Sequence, residues 1–221
     1  MKVASLFSGG KDSCYSAFLA KQSGHELVCL ISVFSKNKES YMFHTPNIKL
    51  VKKQAKVMDV PIIIQKTKGE KEKELDDLEI VIEQAKEEYA IEGVVTGALY
   101  SEYQTSRIKK ICDKFELECI NPLWHKNEIE YLWELVNAKF KVIVTGIAAH
   151  PLDKSWLGRE INEKFIEEAK ELEKKYEVHP AGEGGEFETF VLNCPLFKKE
   201  LKVRGFKDVG EKNSWQRRLR I

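Results

Sequence analysis

The sequence is poor in the residues that break structure: six prolines and thirteen glycines in 221 residues exclude a collagen-like, proline-rich or low-complexity chain. No apolar run approaches the roughly 20 residues of a membrane-spanning helix. The N-terminus enters a short strand-like stretch, KVASLF, without a signal-peptide pattern, so the cytoplasm is the expected compartment. The five cysteines, at 14, 29, 112, 119 and 194, make no C-x-x-C pair, which leaves no cue for a disulfide framework, a zinc site or an iron–sulfur site. They read as reduced, mostly buried thiols. Surplus charge is also missing: a net charge of +1 argues against general nucleic-acid binding. The histidines (25, 44, 125, 150, 179) lack ligand spacing, no G-x-S-x-G nucleophile motif occurs, and neither an internal repeat nor a Ser/Pro-rich linker is visible.

What is present is a globular composition, 43% hydrophobic and 32% charged, long enough for one large domain or one domain with an appendage. Charge is unevenly placed. Residues 198–221 carry nine Lys/Arg against three Asp/Glu, so a chain of net +1 ends in a segment of +6. Clustered basic residues of this kind favour an acidic partner surface, or are simply a solvated tail.

Apolar strand-like runs at 3–7, 27–34, 60–66 and 93–99 alternate with helix-period stretches, the pattern of an α/β domain with a parallel sheet. The clearest helix places Leu75, Leu78, Val81, Ile82, Ala85 and Tyr89 on one face. Further on, Asn127 and Glu130 form an N-x-x-E helix start ahead of Ile129, Leu132, Trp133, Val136 and Phe140. The strand KVIVTGIAA, a charged helix to about residue 176, and a Gly-rich, β-forming stretch from 179 onward complete the chain. Any boundary falls near residue 120, between parts that pack closely: 1–120, and a smaller α+β part over 121–221.

Three motifs carry the chemical interest. SGGKDS, residues 8–13, follows the first strand and opens a helix; Gly9 and Gly10 free backbone N–H groups for an anion, Lys11 adds a charge, and Ser8 and Ser13 add hydroxyls. It lacks the upstream glycine of a Walker A loop. A plain turn capped by Asp12 is the alternative. GALYSEYQTSR, residues 97–107, lies at the carboxyl end of the fourth strand, where open α/β sheets bind ligands. Gly97, Ser101, Tyr103, Gln104 and Arg107 are its candidates, although Ser101 and Gln104 also make a capping box. GEGGEFET, residues 182–189, joins three glycines to Glu183, Glu186 and Glu188, which suits either a bend bringing acids to something basic or metallic, or a solvated hairpin. His44, just past the second strand, faces the crevice or is an ordinary loop histidine.

In this order over nearly the whole chain, SGGKDS, GALYSEYQTSR, LDKSWLGR and GEGGEFETFVL resemble the ATP pyrophosphatase family of diphthine-ammonia ligases, in its archaeal single-domain form. The first motif is shared by all PP-loop enzymes; the other three make the resemblance specific. It implies an adenine-nucleotide α-hydrolase-like (HUP) fold, with a PP-loop ATP-binding domain at 1–120 and a family-specific substrate-binding part at 121–221. It implies ATP and Mg²⁺, cleavage between the α and β phosphates, and amidation of diphthine on translation elongation factor two by ammonium through an acyl-adenylate. Neither nucleic acid nor membrane enters that reaction, and a homo-oligomer is compatible with it.

By the resemblance, Ser8, Gly9, Gly10, Lys11, Asp12 and Ser13 surround the phosphates, and Gly97, Ser101, Tyr103, Gln104 and Arg107 complete the nucleotide site. Thr105 and Asn193 depart from the pattern, where relatives carry arginine and aspartate. Lys11 is expected to face ligand and add little to packing. Glu186 and Glu188, side by side on one face if extended, are the candidates to hold ammonium, Mg²⁺ or the substrate's trimethylammonio group. His44, Glu183, Gly184, Gly185, Glu186 and Thr189 are the candidate substrate contacts; the metal ligands are left open. Rival readings are another PP-loop enzyme acting on tRNA and a nucleotide-binding module without turnover.

Overall fold

The computed structural model describes residues 1–37, 47–70 and 72–221; His44 lies outside them. Five parallel strands form the first sheet: β1 (Lys2–Leu6), β2 (Glu26–Ser35), β3 (Ile62–Thr67), β4 (Gly93–Val95) and β5 (Glu118–Ile120), in the order β3-β2-β1-β4-β5. Parallel strands require crossovers, and helices supply them: α1 (Lys11–Gln22), α2 (Val51–Met58), α3 (Lys73–Tyr89) and α4 (Glu102–Lys114). The chain runs outward to β2 and β3 on one side of β1, then returns to β4 on the other. The switch point between β1 and β4 is where such sheets open a crevice at their carboxyl ends.

The expected helical face of α3 is the one that packs: Leu78, Val81, Ile82 and Ala85 are buried against Ala4, Ile31 and Val94 on one face of the sheet. β4 is shorter than the apolar run at 93–99 suggested. Beyond Val95, Thr96 N–H still reaches the neighbouring strand, at Ile120 O, and Ala98 and Leu99 are buried outside the strand, Leu99 in the core shared with the second sheet.

The second sheet is antiparallel, with order β7-β6-β9-β8, built from β6 (Lys141–Ile147), β7 (Phe187–Asn193), β8 (Gly205–Glu211) and β9 (Ser214–Arg220). Helices α5 (Glu128–Asn137) and α6 (Glu163–Tyr176) accompany it. Asn127 caps α5 by accepting the N–H groups of Ile129 and Glu130, as its N-x-x-E start implied. The buried side of α5 is Tyr131, Leu132 and Leu135, however, while Ile129, Trp133 and Val136 are only partly covered. The +6 segment folds as the β8–β9 hairpin, where Arg217 pairs with Asp208 and Lys207 stands directly opposite Arg218.

A single apolar core crosses from one sheet to the other. Phe7, Tyr15 and Leu30 of the first share it with Leu132, Val144, Phe165 and Phe190 of the second. Buried within this contact, Gln54 of α2 donates from Nε2 to Gly9 O at 2.9 Å and to Val191 O at 2.9 Å. One amide thus ties the glycine loop to β7.

Replacing Gln54 with Leu leaves Gly9 O and Val191 O short of a donor in a buried setting, and is expected to cost about 1–3 kcal/mol. Urea unfolding measures the loss, and unchanged stability would mean that the amide carries no tension between the two parts.

Candidate functional site

The geometry begins with a turn that only glycine takes without strain. Gly9 has φ +79°, and a Cβ there would collide with the Gln54 side chain. The N–H groups of Ser8 and Gly9 converge on Ser13 Oγ at 3.2 Å each, and Ser13 Oγ in turn donates to Gly10 O. Lys11 N–H, the first of α1, donates to Thr189 Oγ1 at 3.0 Å. The first helical turn is therefore fixed from β7, through a residue 178 positions away.

Lys11 is 3% exposed, with Nζ 2.9 Å from Asp12 Oδ1 and over the rings of Tyr131 and Phe187 at 5.9 and 5.7 Å. This corrects the expectation that its side chain adds little to packing: its stem and charge are part of the core wall. Asp12 Oδ1 also accepts from Tyr131 OH at 2.9 Å. Burial, with the Asp12 charge beside it, holds the Tyr131 hydroxyl well above its usual range, so it remains a donor.

These groups border a cavity of about 470 Å³. From the first motif Ser8, Gly10, Lys11, Asp12 and Ser13 line it; from the second, Gly97, Ser101 and Gln104; from the third, Glu183, Gly184, Gly185, Glu188 and Thr189. Gly97 is required by closeness, since a Cβ there would lie 2.9 Å from the Asp12 backbone. Ser101 both caps α4, accepting Gln104 N–H at 3.4 Å, and lines the cavity, so the capping and site readings coexist. Apolar Ile31, Val33, Ile48 and Ile108 form a further part of the wall. Gly9 stands behind the loop, with its carbonyl turned to Val191 N–H and Gln54.

Three candidates lie elsewhere. Tyr103 and Arg107 stack on each other, ring to guanidinium at 3.5 Å, and both bind Glu72 at the surface. They occupy the outer side of α4, one helical step from the lining face of Ser101 and Gln104. Glu186 does not share a face with Glu188, because β7 begins only at Phe187 and Gly185, at φ +85°, turns the chain just before it. Its Oε1 accepts His179 N–H at 3.1 Å instead.

The carboxylate that accompanies Glu188 is Glu183. Burial raises Glu183, helped by Asp12, while Lys11 and the N–H groups of Tyr100 and Leu99 oppose the shift. Burial likewise pushes Glu188 up to about 7, against the pull of Lys11. Among the described lining residues, Lys11 is the one cation beside three carboxylates, Asp12, Glu183 and Glu188. No group of three or more His, Cys, Asp or Glu is placed to hold a metal by itself among the described residues. Magnesium ordinarily keeps several waters and takes one or two carboxylates with substrate phosphates, and Asp12 at the loop fits that role.

Gln54, Tyr131 and His179 were not visible as site residues in the sequence. Each lies in an ordinary helix or loop, and its position is set by packing between distant segments.

A glycine loop joining the first strand of a 3-2-1-4-5 parallel sheet to a helix, at the sheet's switch point, defines a PP-loop nucleotide-binding protein of the HUP type. The sequence matches the diphthamide synthase N-terminal domain over residues 1–119 and the diphthamide synthase C-terminal domain over residues 127–219. It is 36% identical to the diphthine–ammonia ligase of Rattus norvegicus over 92% of this chain and 83% of that one. The Schizosaccharomyces pombe diphthine–ammonia ligase is 33% identical over 97% of this chain and 38% of its own length. A solved structure described as a predicted subunit of tRNA methyltransferase from Methanocaldococcus jannaschii overlays with a TM-score of 0.44 and 20% identity, covering 91% of this chain and 100% of that one. The chain belongs to the diphthamide synthase family, and it is a ligase.

An acid whose folded value lies above its unfolded one holds its proton more firmly in the fold. Stability from Glu188 is accordingly full below about 4.5 and lost as pH rises through about 7. Urea unfolding across this window is expected to show a declining midpoint that is flatter in Glu188→Gln; equal slopes would mean that the carboxylate is not held protonated.

Proposed function

We propose that this chain converts the carboxylate of diphthine on translation elongation factor two to the amide of diphthamide, using ATP, Mg²⁺ and ammonium. The observation that carries the reading is the junction of all three motifs around one cavity: a glycine loop for phosphates at one side, and Glu183 and Glu188 from the family-specific part at the other. Residues 1–120 supply the nucleotide site and 121–221 the substrate contacts, with the cytoplasm as the setting. The apolar wall of Ile31, Val33 and Ile108 suits a base, while Lys11 and the N-terminus of α1 suit its phosphates.

A carboxylate is a poor acyl donor because its leaving group would be oxide. A carboxylate oxygen therefore attacks the α-phosphorus, the bond to the bridging oxygen breaks, and pyrophosphate departs, leaving an acyl-adenylate. Lys11 and the N-terminus of α1 stabilise the departing charge. Mg²⁺, when bound, neutralises further phosphate charge. Ammonia then attacks the acyl carbon and AMP leaves. Ammonium must first lose a proton, and Glu188, held near neutrality by burial, is suited to take it.

The test is incubation of diphthine-bearing elongation factor with ATP, Mg²⁺ and ammonium. Mass spectrometry should show a hydroxyl replaced by an amino group, with one AMP per conversion. AMP-free conversion would refute the adenylate route, and no conversion would refute the substrate. Lys11→Met, which keeps the packed stem, is expected to lower AMP formation by about 10²-fold or more with a modest change in melting temperature, since a positioned electrostatic donor is worth that much.

The basic face of the β8–β9 hairpin, where Arg218 and Arg220 make no ion pair among the described residues, suits an acidic region of the protein substrate. Arg218 and Arg220 replaced by Ala are expected to slow association with the elongation factor at low salt, without effect on ATP binding. Equal association rates across salt concentrations would exclude docking there.

A further inference from the structure

Beside the nucleotide cavity lies a second opening of about 440 Å³, lined by Tyr100, Ser101, Glu128, His179, Glu183 and Gly184. Ser101, Glu183 and Gly184 line both spaces, so the two are contiguous through the loop that carries Glu183.

The hydrogen bonds define the charge of this cleft. His179 Nδ1 accepts the N–H of Ala181 at 3.2 Å, so that nitrogen bears no proton, and the remaining ring N–H at Nε2 faces Glu128 Oε1 at 3.3 Å. The neighbouring Lys126 is engaged elsewhere, with Nζ 2.9 Å from Glu134. Tyr100 OH donates to Lys126 O at 3.0 Å, which fixes its ring at the rim, edge-on to His125 at 5.4 Å and to His179 at 6.1 Å. The cleft thus combines two carboxylates, Glu128 and Glu183, with aromatic rings, and among the described residues no lysine or arginine lines it.

We propose that this cleft seats a quaternary ammonium group of the protein substrate, holding the carboxylate of the same modified side chain at the mouth of the nucleotide cavity. The proposal rests on the reading of the chain as an ATP-dependent amide-forming ligase. A quaternary ammonium donates no hydrogen bond, so it is recognised by negative potential and by ring surfaces, which is what Glu128, Glu183, Tyr100 and His179 provide. Free ammonium is the less fitting occupant. It is about the size of a water molecule, whose share of liquid volume is roughly 30 Å³, and it needs several acceptors at short range. The opening of about 440 Å³ is far larger than one such ion, and its charged acceptors are the two carboxylates alone.

The experiment uses the full chain and tetramethylammonium chloride as probe. Resonances of His179 and Tyr100 are followed on titration, with ammonium chloride as competitor. Saturable binding is expected, weakened about tenfold in Tyr100→Leu and in Glu128→Gln, and not displaced by equimolar ammonium. In the amidation assay the same two variants should raise KM for the modified elongation factor about tenfold, with kcat and ATP affinity within about twofold of the parent. Melting temperatures of both variants identify any loss due to unfolding, and Glu128→Gln, isosteric and at the rim, supports the test if Tyr100→Leu folds poorly. No saturable binding, equal binding by parent and variants, or displacement by equimolar ammonium overturns the proposal. A parent that amidates while both variants keep its KM overturns it too. A parent that binds the probe but forms neither amide nor AMP instead refutes the underlying ligase reaction and leaves the cleft's chemistry standing.

Discussion

The site depends on the grip of the second sheet on the glycine loop of the first. A strand-to-helix turn with two glycines is floppy by composition, because glycine loses more conformational freedom on ordering than any other residue. Thr189 Oγ1 accepts the first N–H of α1, Val191 N–H donates to Gly9 O, and Gln54 Nε2 bridges Gly9 O and Val191 O. Three groups from β7 and α2, Thr189 Oγ1, Val191 N–H and Gln54 Nε2, thereby hold one turn. The family-specific part acts as structural support for the loop as well as wall for the cavity, and the shared apolar core makes the two parts interdependent.

That grip has an electrostatic consequence. Drawing β7 against the loop brings Glu188 beside Lys11 and Asp12, and the bend before β7 brings Glu183 near them. A single buried ammonium then stands among three carboxylates, one of which is pushed up to about 7. In the proposed amidation this excess of negative charge calls for cations beside the nucleotide, and Mg²⁺ and ammonium would supply them.

Tyr131 illustrates how the two functions of the fold are joined. Its ring covers Lys11 and packs on Tyr15, 5.5 Å between centroids, while its hydroxyl orients Asp12. A residue of α5 thus sets the position of the charged pair at the start of α1, 119 positions earlier. The same helix begins with Glu128, which lines the second cleft, so α5 links that cleft to the Lys11–Asp12 pair.

By itself the sequence determined the parallel-sheet class, the face of α3, the Asn127 cap and the three motifs, because each is local: apolar period, cap chemistry and glycine placement act over a few residues. It also placed most of the cavity lining, since Ser8, Lys11, Gly97, Ser101, Glu183 and Glu188 stand in those motifs. Only the tertiary structure decided which motif residues face inward. Tyr103 and Arg107 pair with Glu72 on the face of α4 next to the one that carries Ser101 and Gln104, and Gly185 bends Glu186 away from Glu188. Gln54, Tyr131 and His179 become site residues through contacts across the fold, two of them made more than 100 positions away. Such pairings depend on how two sheets pack, and packing is a property of the whole chain that no short stretch of residues encodes.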